Sequence, residues 1–292
     1  MNGLCLVWLE WPEKCFRADA KALRVLKGLV SAGTRVVRVR GEEEFLRRLP
    51  QATKAIVWHF RREWFPLAPK LEMLATPSAG RELVAWRDAP EGVRVHFGSF
   101  HGALMSETVA AFVLAYARGF LFRQPDNWPR VWLSDKCSLV AGTKAAVVGY
   151  GHVGRAIGEK LVALGVEVEG FNRSNIATLP RKTKTFDWLV MALPSDTGTD
   201  GFLDRRLIAK LAPKCVVANV GRGNAVNEDD LFAALRNRRI AAAFLDVRRR
   251  EPQPAKSPVK YPENLYLLPH ASAFGADYLI RCFEELHAHG CV

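Results

Sequence analysis

Val147-Val148-Gly149-Tyr150-Gly151-His152-Val153-Gly154 is the stretch that decides the fold. An apolar run from Lys144 reads as a buried strand, and it leads straight into glycines spaced G-x-G-x-x-G and then into a helix closing near Gly165. The glycines serve distinct physical ends. Gly149 permits the tight turn, Gly151 leaves room for a pyrophosphate, and Gly154 lets the helix pack closely on the sheet. The helix start at His152 and Val153 then offers N–H groups and a partial positive charge to phosphates. Strand before and helix after are the context that turns a common glycine pattern into a dinucleotide site.

Outward from this turn, the next strand is Val166 to Phe171, and Asn172-Arg173-Ser174 follows it. NAD sites place an acidic residue there for the ribose hydroxyls. Here a guanidinium and a hydroxyl stand instead, which suits a 2′-phosphate. NADPH is therefore the expected cofactor, with NADH as the alternative. Further strands are expected at Trp188 to Ala192, Val216 to Val220, Ala242 to Val247 and Leu265 to Leu268. Upstream, strands are expected at Leu4 to Leu9, Arg35 to Val39, Ala55 to His59 and Leu71 to Ala75, with a helix over Ala18 to Ser31. Such alternation implies α/β architecture with parallel sheets. A long helix is expected from Ser106 to Phe122, apolar nearly all round and so well buried. The stretch 123–139, with two prolines and two tryptophans, lacks periodicity and reads either as a mobile loop or, in preference, as an arm with Trp128 and Trp132 as anchors for another subunit.

Composition narrows the function. The 292 residues carry a net charge of +12, which could serve nucleic acid or anionic small ligands. It could also be simply a basic surface; the basic residues are scattered and no nucleic-acid motif accompanies them, so specific nucleic-acid binding is not expected. No apolar run approaches the roughly 18 residues of a membrane span, and Glu10 interrupts the first apolar stretch, so a cytoplasmic protein is expected. Six scattered cysteines form no C-x-x-C pair or metal-type cluster with histidine, and neither disulfides nor a metal is expected.

Three strand ends carry the chemistry: Asn219-Val220-Gly221-Arg222-Gly223, then Leu245-Asp246-Val247 followed by Glu251-Pro252, then Leu268-Pro269-His270. Reducing a 2-keto acid needs a cation to hold the carboxylate and polarise the carbonyl, which Arg222 can do with two parallel hydrogen bonds. It also needs a proton donor near neutral pH, for which His270 is suited. A neighbouring carboxylate favours the protonated imidazole, and Glu251 is the candidate.

At these residues the chain resembles the D-isomer-specific 2-hydroxyacid dehydrogenase family. The likeness runs from about Leu71 to Phe274 and includes Leu193-Pro194 with Thr197. It implies Arg222 as substrate clamp, His270 as acid/base and Glu251 as its partner. It further implies a cofactor set of Gly149, Gly151, His152, Val153, Gly154, Asn172, Arg173, Ser174, Leu193, Pro194, Val220, Gly221, Asp246 and His270, with Asp246 on the nicotinamide amide. The turn Ser78-Ala79-Gly80 resembles the loop that holds the substrate carboxylate. Two Rossmann-like, doubly wound parallel-sheet domains with the site in a cleft between them are implied. The expected division is 1–101 with 275–292 for substrate, and 102–274 for the dinucleotide, with 123–139 as the arm of a homodimer. The Asn-Arg-Ser turn points to glyoxylate/hydroxypyruvate reductases. Two other readings stand beside this one. Arg61, Arg62 and Arg81 would suit a phosphorylated acid such as 3-phosphoglycerate, and a weakly active cofactor-binding regulator would share the fold. Departures from the family's pattern are Arg248 to Arg250 before Glu251 and Ala271-Ser272-Ala273-Phe274-Gly275 after His270.

Overall fold

The computed structural model describes residues 3–121, 137–252 and 260–292. The chain divides into two compact units, Met1–His101 with Phe274–Val292, and Gly102–Ala273. The expected arm at 123–139 lies outside the described residues except for its last three.

The first unit holds β1 (Leu4–Trp8), α1 (Ala20–Leu29), β2 (Arg35–Arg38), α2 (Glu42–Arg48), β3 (Lys54–Val57), β4 (Met73–Thr76) and β5 (Arg94–Phe97). The second holds α3 (His101–Ala117, but for its first residue), β6 (Lys144–Val148), α4 (His152–Ala163), β7 (Glu167–Phe171), α5 (Leu179–Lys182), β8 (Trp188–Met191), α6 (Arg205–Ile208), β9 (Val216–Asn219), α7 (Glu228–Arg236), β10 (Ala242–Leu245) and β11 (Leu265–Leu267). The chain then returns to the first unit as α8 (Tyr278–Ala288), which packs beside α1.

Both sheets are parallel throughout, in the orders β2-β1-β3-β4-β5 and β11-β10-β9-β8-β6-β7. In the second sheet, alternate residues feed different cores. Ala146, Val148, Leu189, Met191, Val217, Ala243 and Leu245 join one. Ala145, Val147, Trp188, Val190, Val216, Ala218 and Phe244 join the other. Burial on both faces explains why these strands read as unbroken apolar runs rather than alternating ones.

Three features differ from expectation. The long helix begins at His101, not Ser106, and stops at Ala117, not Phe122. Gly119 takes a left-handed φ of 78°, and Phe120 N–H bonds back to Ala115 while Gly119 N–H bonds Tyr116, which closes the last turn. Nor is this helix buried all round: Val109, Phe112 and Val113 face the core while Leu114 is exposed. The third difference is β5, whose residues Arg94-Val95-His96-Phe97 form a polar edge strand too short and too mixed to read as a strand.

Candidate functional site

The parallel register of the second sheet sets its strand ends in a row. Phe171 pairs with Val148, Val148 with Met191, Met191 with Asn219, Asn219 with Leu245, and Leu245 with Leu267. Every residue singled out in this unit follows one of these six positions by only a few steps: Asn172 to Ser174, the glycine turn, Leu193 and Pro194, Val220 to Arg222, Asp246 to Glu251, and His270. Ligands of open α/β sheets bind at this carboxyl edge, where the strand order reverses. The reversal lies at β6, between β7 and β8.

The glycine turn is built as a phosphate cradle. Gly149 has φ 88°, and a Cβ there would lie 2.5 Å from the Ala192 carbonyl oxygen. A Cβ on Gly154 would lie 2.3 Å from the Gly149 oxygen, so helix and turn meet backbone to backbone. At Gly151, by contrast, a Cβ would meet none of the described residues within 4 Å. Gly151 is the N-cap of α4, and no side chain among the described residues caps that helix. Open space before uncapped N–H groups fits a pyrophosphate, with His152 and Val153 in the first turn to hold it.

At the end of β7 the Asn172 side-chain oxygen accepts from Ser174 N–H at 2.9 Å and from its hydroxyl at 2.7 Å. This turn projects Arg173, whose side chain is 94% exposed and only loosely paired with Asp196 at 3.5 Å. Leu193 and Val220 are buried, and Gly221 N–H donates to the Asn219 side chain.

His270 and Glu251 meet. His270 Nδ1 lies 2.8 Å from Glu251 Oε2. An ionised carboxylate only accepts, so Nδ1–H donates and Nε2 is left for chemistry. The imidazole is raised above its ordinary pKa, first by the hydrogen bond to Glu251, against burial, then by the charges of Glu251 and Asp246, while Arg222 pulls it down. Burial works to raise the Glu251 carboxyl. The hydrogen bonds from His270 and from Arg248 N–H, with the charges of His270 and Arg222, outweigh it and hold the group below its usual value. The Arg222 charge is thus felt at both partners, and its Nη1–H donates to Gly221 O at 3.0 Å.

The backbone around the pair is braced. His270 sits at φ 53°, a left-handed conformation uncommon outside glycine. Its N–H donates to Asp246 O at 2.8 Å. The Asp246 carboxylate is 1% exposed; one oxygen accepts from Ala271 N–H at 2.6 Å and Ser272 N–H at 3.1 Å, and the other from the Ser272 hydroxyl. Burial raises the Asp246 pKa, and these hydrogen bonds only partly offset it. Asp246 therefore holds the His270 turn from below, a role additional to the nicotinamide contact expected of it.

A second brace gives no sign of itself in the sequence. Glu228 binds the Arg248 guanidinium through both oxygens at 2.9 and 2.7 Å and accepts from Arg249 N–H at 2.7 Å. Arg248 N–H in turn donates to Glu251 Oε1 at 2.6 Å. The unusual arginine before Glu251 thus anchors the turn that carries it. Glu228 lies in the acidic first turn of α7 and reads from sequence only as a helix start.

In the first unit, Ser78-Ala79-Gly80 forms a turn after β4, with Ser78 Oγ–H donating to Gly80 O at 3.1 Å and Ala79 exposed. Arg61 is bound bidentately by Glu42 at 3.0 Å, Arg62 lies 3.9 Å from Asp88, and Arg81 lies over the Trp86 ring. These three cations, the candidates for a phosphorylated substrate, already have partners.

The sequence profile described as D-isomer specific 2-hydroxyacid dehydrogenase, NAD binding domain, matches residues 111–272. A glyoxylate reductase/hydroxypyruvate reductase of Homo sapiens is 27% identical over 225 residues, covering 68% of this chain and 67% of its own. Among solved structures, a D-isomer specific 2-hydroxyacid dehydrogenase family protein of Aeromonas salmonicida superposes with a TM-score of 0.80 at 24% identity, over 99% of this chain and 96% of that one. An NADPH-dependent glyoxylate/hydroxypyruvate reductase of Sinorhizobium meliloti, in complex with NADP and sulfate, gives 0.76 at 23% identity, over 99% and 95%.

Proposed function

The chain belongs to the D-isomer specific 2-hydroxyacid dehydrogenase family, an NAD(P)-dependent enzyme family, and from that premise we propose that it reduces a small 2-keto acid such as glyoxylate or hydroxypyruvate to the D-2-hydroxy acid, with NADPH as preferred cofactor. The observation that carries the proposal is the His270–Glu251 pair at 2.8 Å within the electrostatic reach of Arg222, at the carboxyl edge of the second sheet.

In this reading Gly149 to Gly154 and the first turn of α4 hold the pyrophosphate, while Arg173 and Ser174 meet the 2′-phosphate. Leu193, Pro194, Val220 and Gly221 line the remainder of the cofactor's path. The nicotinamide, when bound, supplies the hydride. Arg222 holds the substrate carboxylate and draws electron density from the adjoining carbonyl. His270 Nε2–H gives its proton to the carbonyl oxygen as that oxygen becomes a hydroxyl. Glu251 stabilises the charged imidazole before transfer. Reduction needs the protonated imidazole, so the raised His270 pKa keeps the acid charged toward neutral pH. A cytoplasmic homodimer joined through 123–139 belongs to the same proposal. Among the described residues no helix is long and apolar enough to cross a membrane, and the exposed Leu114 and Phe120 precede the arm.

The support for NADPH is the Asn172-Arg173-Ser174 turn, which presents an almost wholly exposed guanidinium and no carboxylate of its own. The test is a panel of keto acids, glyoxylate, hydroxypyruvate and phosphohydroxypyruvate included, with each reduced cofactor, followed by absorbance at the nicotinamide band. Arg173→Asp should raise KM for NADPH about tenfold or more, the worth of one charge-assisted contact, and leave NADH little changed. Wild-type turnover with NADH alone would end the phosphate reading. Turnover with no keto acid would end the enzymatic one.

A further inference from the structure

Outside this site, the structure brings together two imidazoles and a carboxylate that the proposed chemistry does not use. We propose that His96, Glu285 and His289 form a binding site for a divalent transition-metal ion of the zinc class within the first unit. One ligand atom from each residue lies within 4.8 Å of the other two.

The elements present these groups in a fixed way. His96 stands on β5, the edge strand of the first sheet. Glu285 lies in the last turns of α8 and His289 is its C-cap, so the two, four residues apart, share one helix face. His96 Nε2 lies 2.8 Å from Glu285 Oε1. The rings of His96 and His289 have centroids 5.1 Å apart, tilted by 39°. Two imidazoles on one tetrahedral ion, with metal–nitrogen bonds of about 2.0–2.1 Å, place their centroids about 5 Å apart. Arg94 Nη2–H donates to Gly290 O at 3.0 Å and fixes the chain just beyond His289.

The carboxylate is oriented and charged. Ser99 N–H reaches both Glu285 oxygens at 3.0 and 3.1 Å, and the Ser99 hydroxyl donates to Oε2 at 2.6 Å. Ligands steered by such outer hydrogen bonds are the usual design of a metal centre. Metal binding through Nε2 uses the neutral Nδ1–H tautomer of His96: the ring hydrogen shared with Glu285 is exchanged through solvent onto Nδ1, and the Nε2 lone pair and the carboxylate oxygen turn to the ion. Two imidazoles and one carboxylate suit zinc, cobalt, nickel or copper rather than magnesium or calcium. The ion would staple α8 to the edge of the first sheet. His96 and Glu285 are 189 residues apart, so no metal-type spacing appears in the sequence.

The test uses the full chain without a histidine tag, stripped of metal by chelator. Titration calorimetry with ZnCl2 should show one saturable site, and CoCl2 should give the visible absorption of a tetrahedral nitrogen–oxygen centre. MgCl2 should do neither. ZnCl2 should also raise the melting temperature. His289→Ala, an exposed position at a helix end, should weaken zinc binding about tenfold or more and remove both the cobalt bands and the thermal shift. His96→Gln should do the same, and should it fail to fold, His289→Ala decides alone. Absence of saturable binding in the wild type, or unchanged binding in His289→Ala, would show a purely structural hydrogen-bonded cluster and overturn the proposal.

Discussion

Among the described residues, two imidazole–carboxylate pairs have the same 2.8 Å separation and different surroundings. In the pair on β5 and α8, side-chain exposures are 18% for His96 and 11% for Glu285. In the pair at the edge of the second sheet they are 53% for His270 and 33% for Glu251. His96 spends Nε2 on its partner; His270 spends Nδ1 and keeps Nε2, the outer nitrogen, available. His96 lies within a regular strand, whereas His270 is held in a left-handed turn. The first pair has a serine and a second imidazole for company, the second a guanidinium. Distance alone therefore does not make an acid catalyst. In the proposed chemistry the difference is a second nitrogen left unused by the carboxylate and a nearby guanidinium.

The sharpest way to break this contrast is to remove each imidazole in turn. His270→Gln should lower kcat/KM for keto-acid reduction by about 10²–10⁴-fold, the range for a lost general acid. His96→Gln should leave it within about twofold, because a pair outside the reacting centre contributes no proton to it. Equal losses would erase the distinction. Next in size is Arg222→Gln. Losing one charge-assisted contact is worth about 1.5–3 kcal/mol, or roughly 10- to 10²-fold, and it should appear mainly as a higher KM for the keto acid. An unchanged KM would remove Arg222 from the substrate clamp.

Much of the second unit is legible in the sequence because its central strands β6, β8, β9 and β10 are buried on both faces and are followed by distinctive residues. Gly149, Arg222 and His270 each follow a short apolar run bounded by turn residues, which reads as a strand. The row they make is a consequence of parallel register, which sequence spacing does not print. The braces are not legible. Glu228 meets Arg248 across 20 residues, and the Ser272 hydroxyl reaches Asp246 across 26. Neither residue type announces such a role. The first unit is harder to read, since β5 alternates charged and apolar residues at a sheet edge and resembles a loop. His96 escapes notice for that reason. The true start of α3 is hidden because His101-Gly102 weakens the helical signal, while Ser106 before the apolar run resembles an N-cap and so a later start.

Glu251→Gln sharpens the comparison through pH. The proposed reduction uses protonated His270, so kcat/KM should hold below the ordinary imidazole value of 6.5 and fall as pH rises through the raised one. The hydrogen bond to Glu251 is the largest cause of that elevation, so Glu251→Gln should move the falling limb to lower pH. The loss should be several-fold at alkaline pH and small in acid. Stability follows the same sign: the pair's contribution is complete between 4.5, the ordinary value of the Glu251 carboxyl, and 6.5, that of the imidazole, and disappears as pH climbs through the raised His270 value or falls through the lowered Glu251 one. Half-exposure of His270 keeps that contribution small. A pH profile identical to wild type would mean that Glu251 does not set the protonation of His270.

The smallest effect concerns a feature the two pairs share, a serine hydroxyl on a carboxylate. Ser99 donates directly to the paired Glu285, whereas Ser272 donates to Asp246, beneath the pair. Ser272→Ala leaves a buried acceptor short of a donor, at a cost of about 1–3 kcal/mol. It also removes an influence that lowers the Asp246 pKa, so that carboxyl rises further toward neutrality. The melting transition of the second unit should fall by a few degrees, at about 2–4 °C per kcal/mol. Because Asp246 also fixes the backbone of His270, kcat should drop a few-fold while KM for the keto acid, which depends on Arg222, stays put. Ser99→Ala should lower stability in the first unit and leave kcat alone. A Ser272→Ala enzyme that melts earlier with full kcat would separate the Asp246 brace from the acid it supports, leaving the turn's own backbone to hold His270 in place.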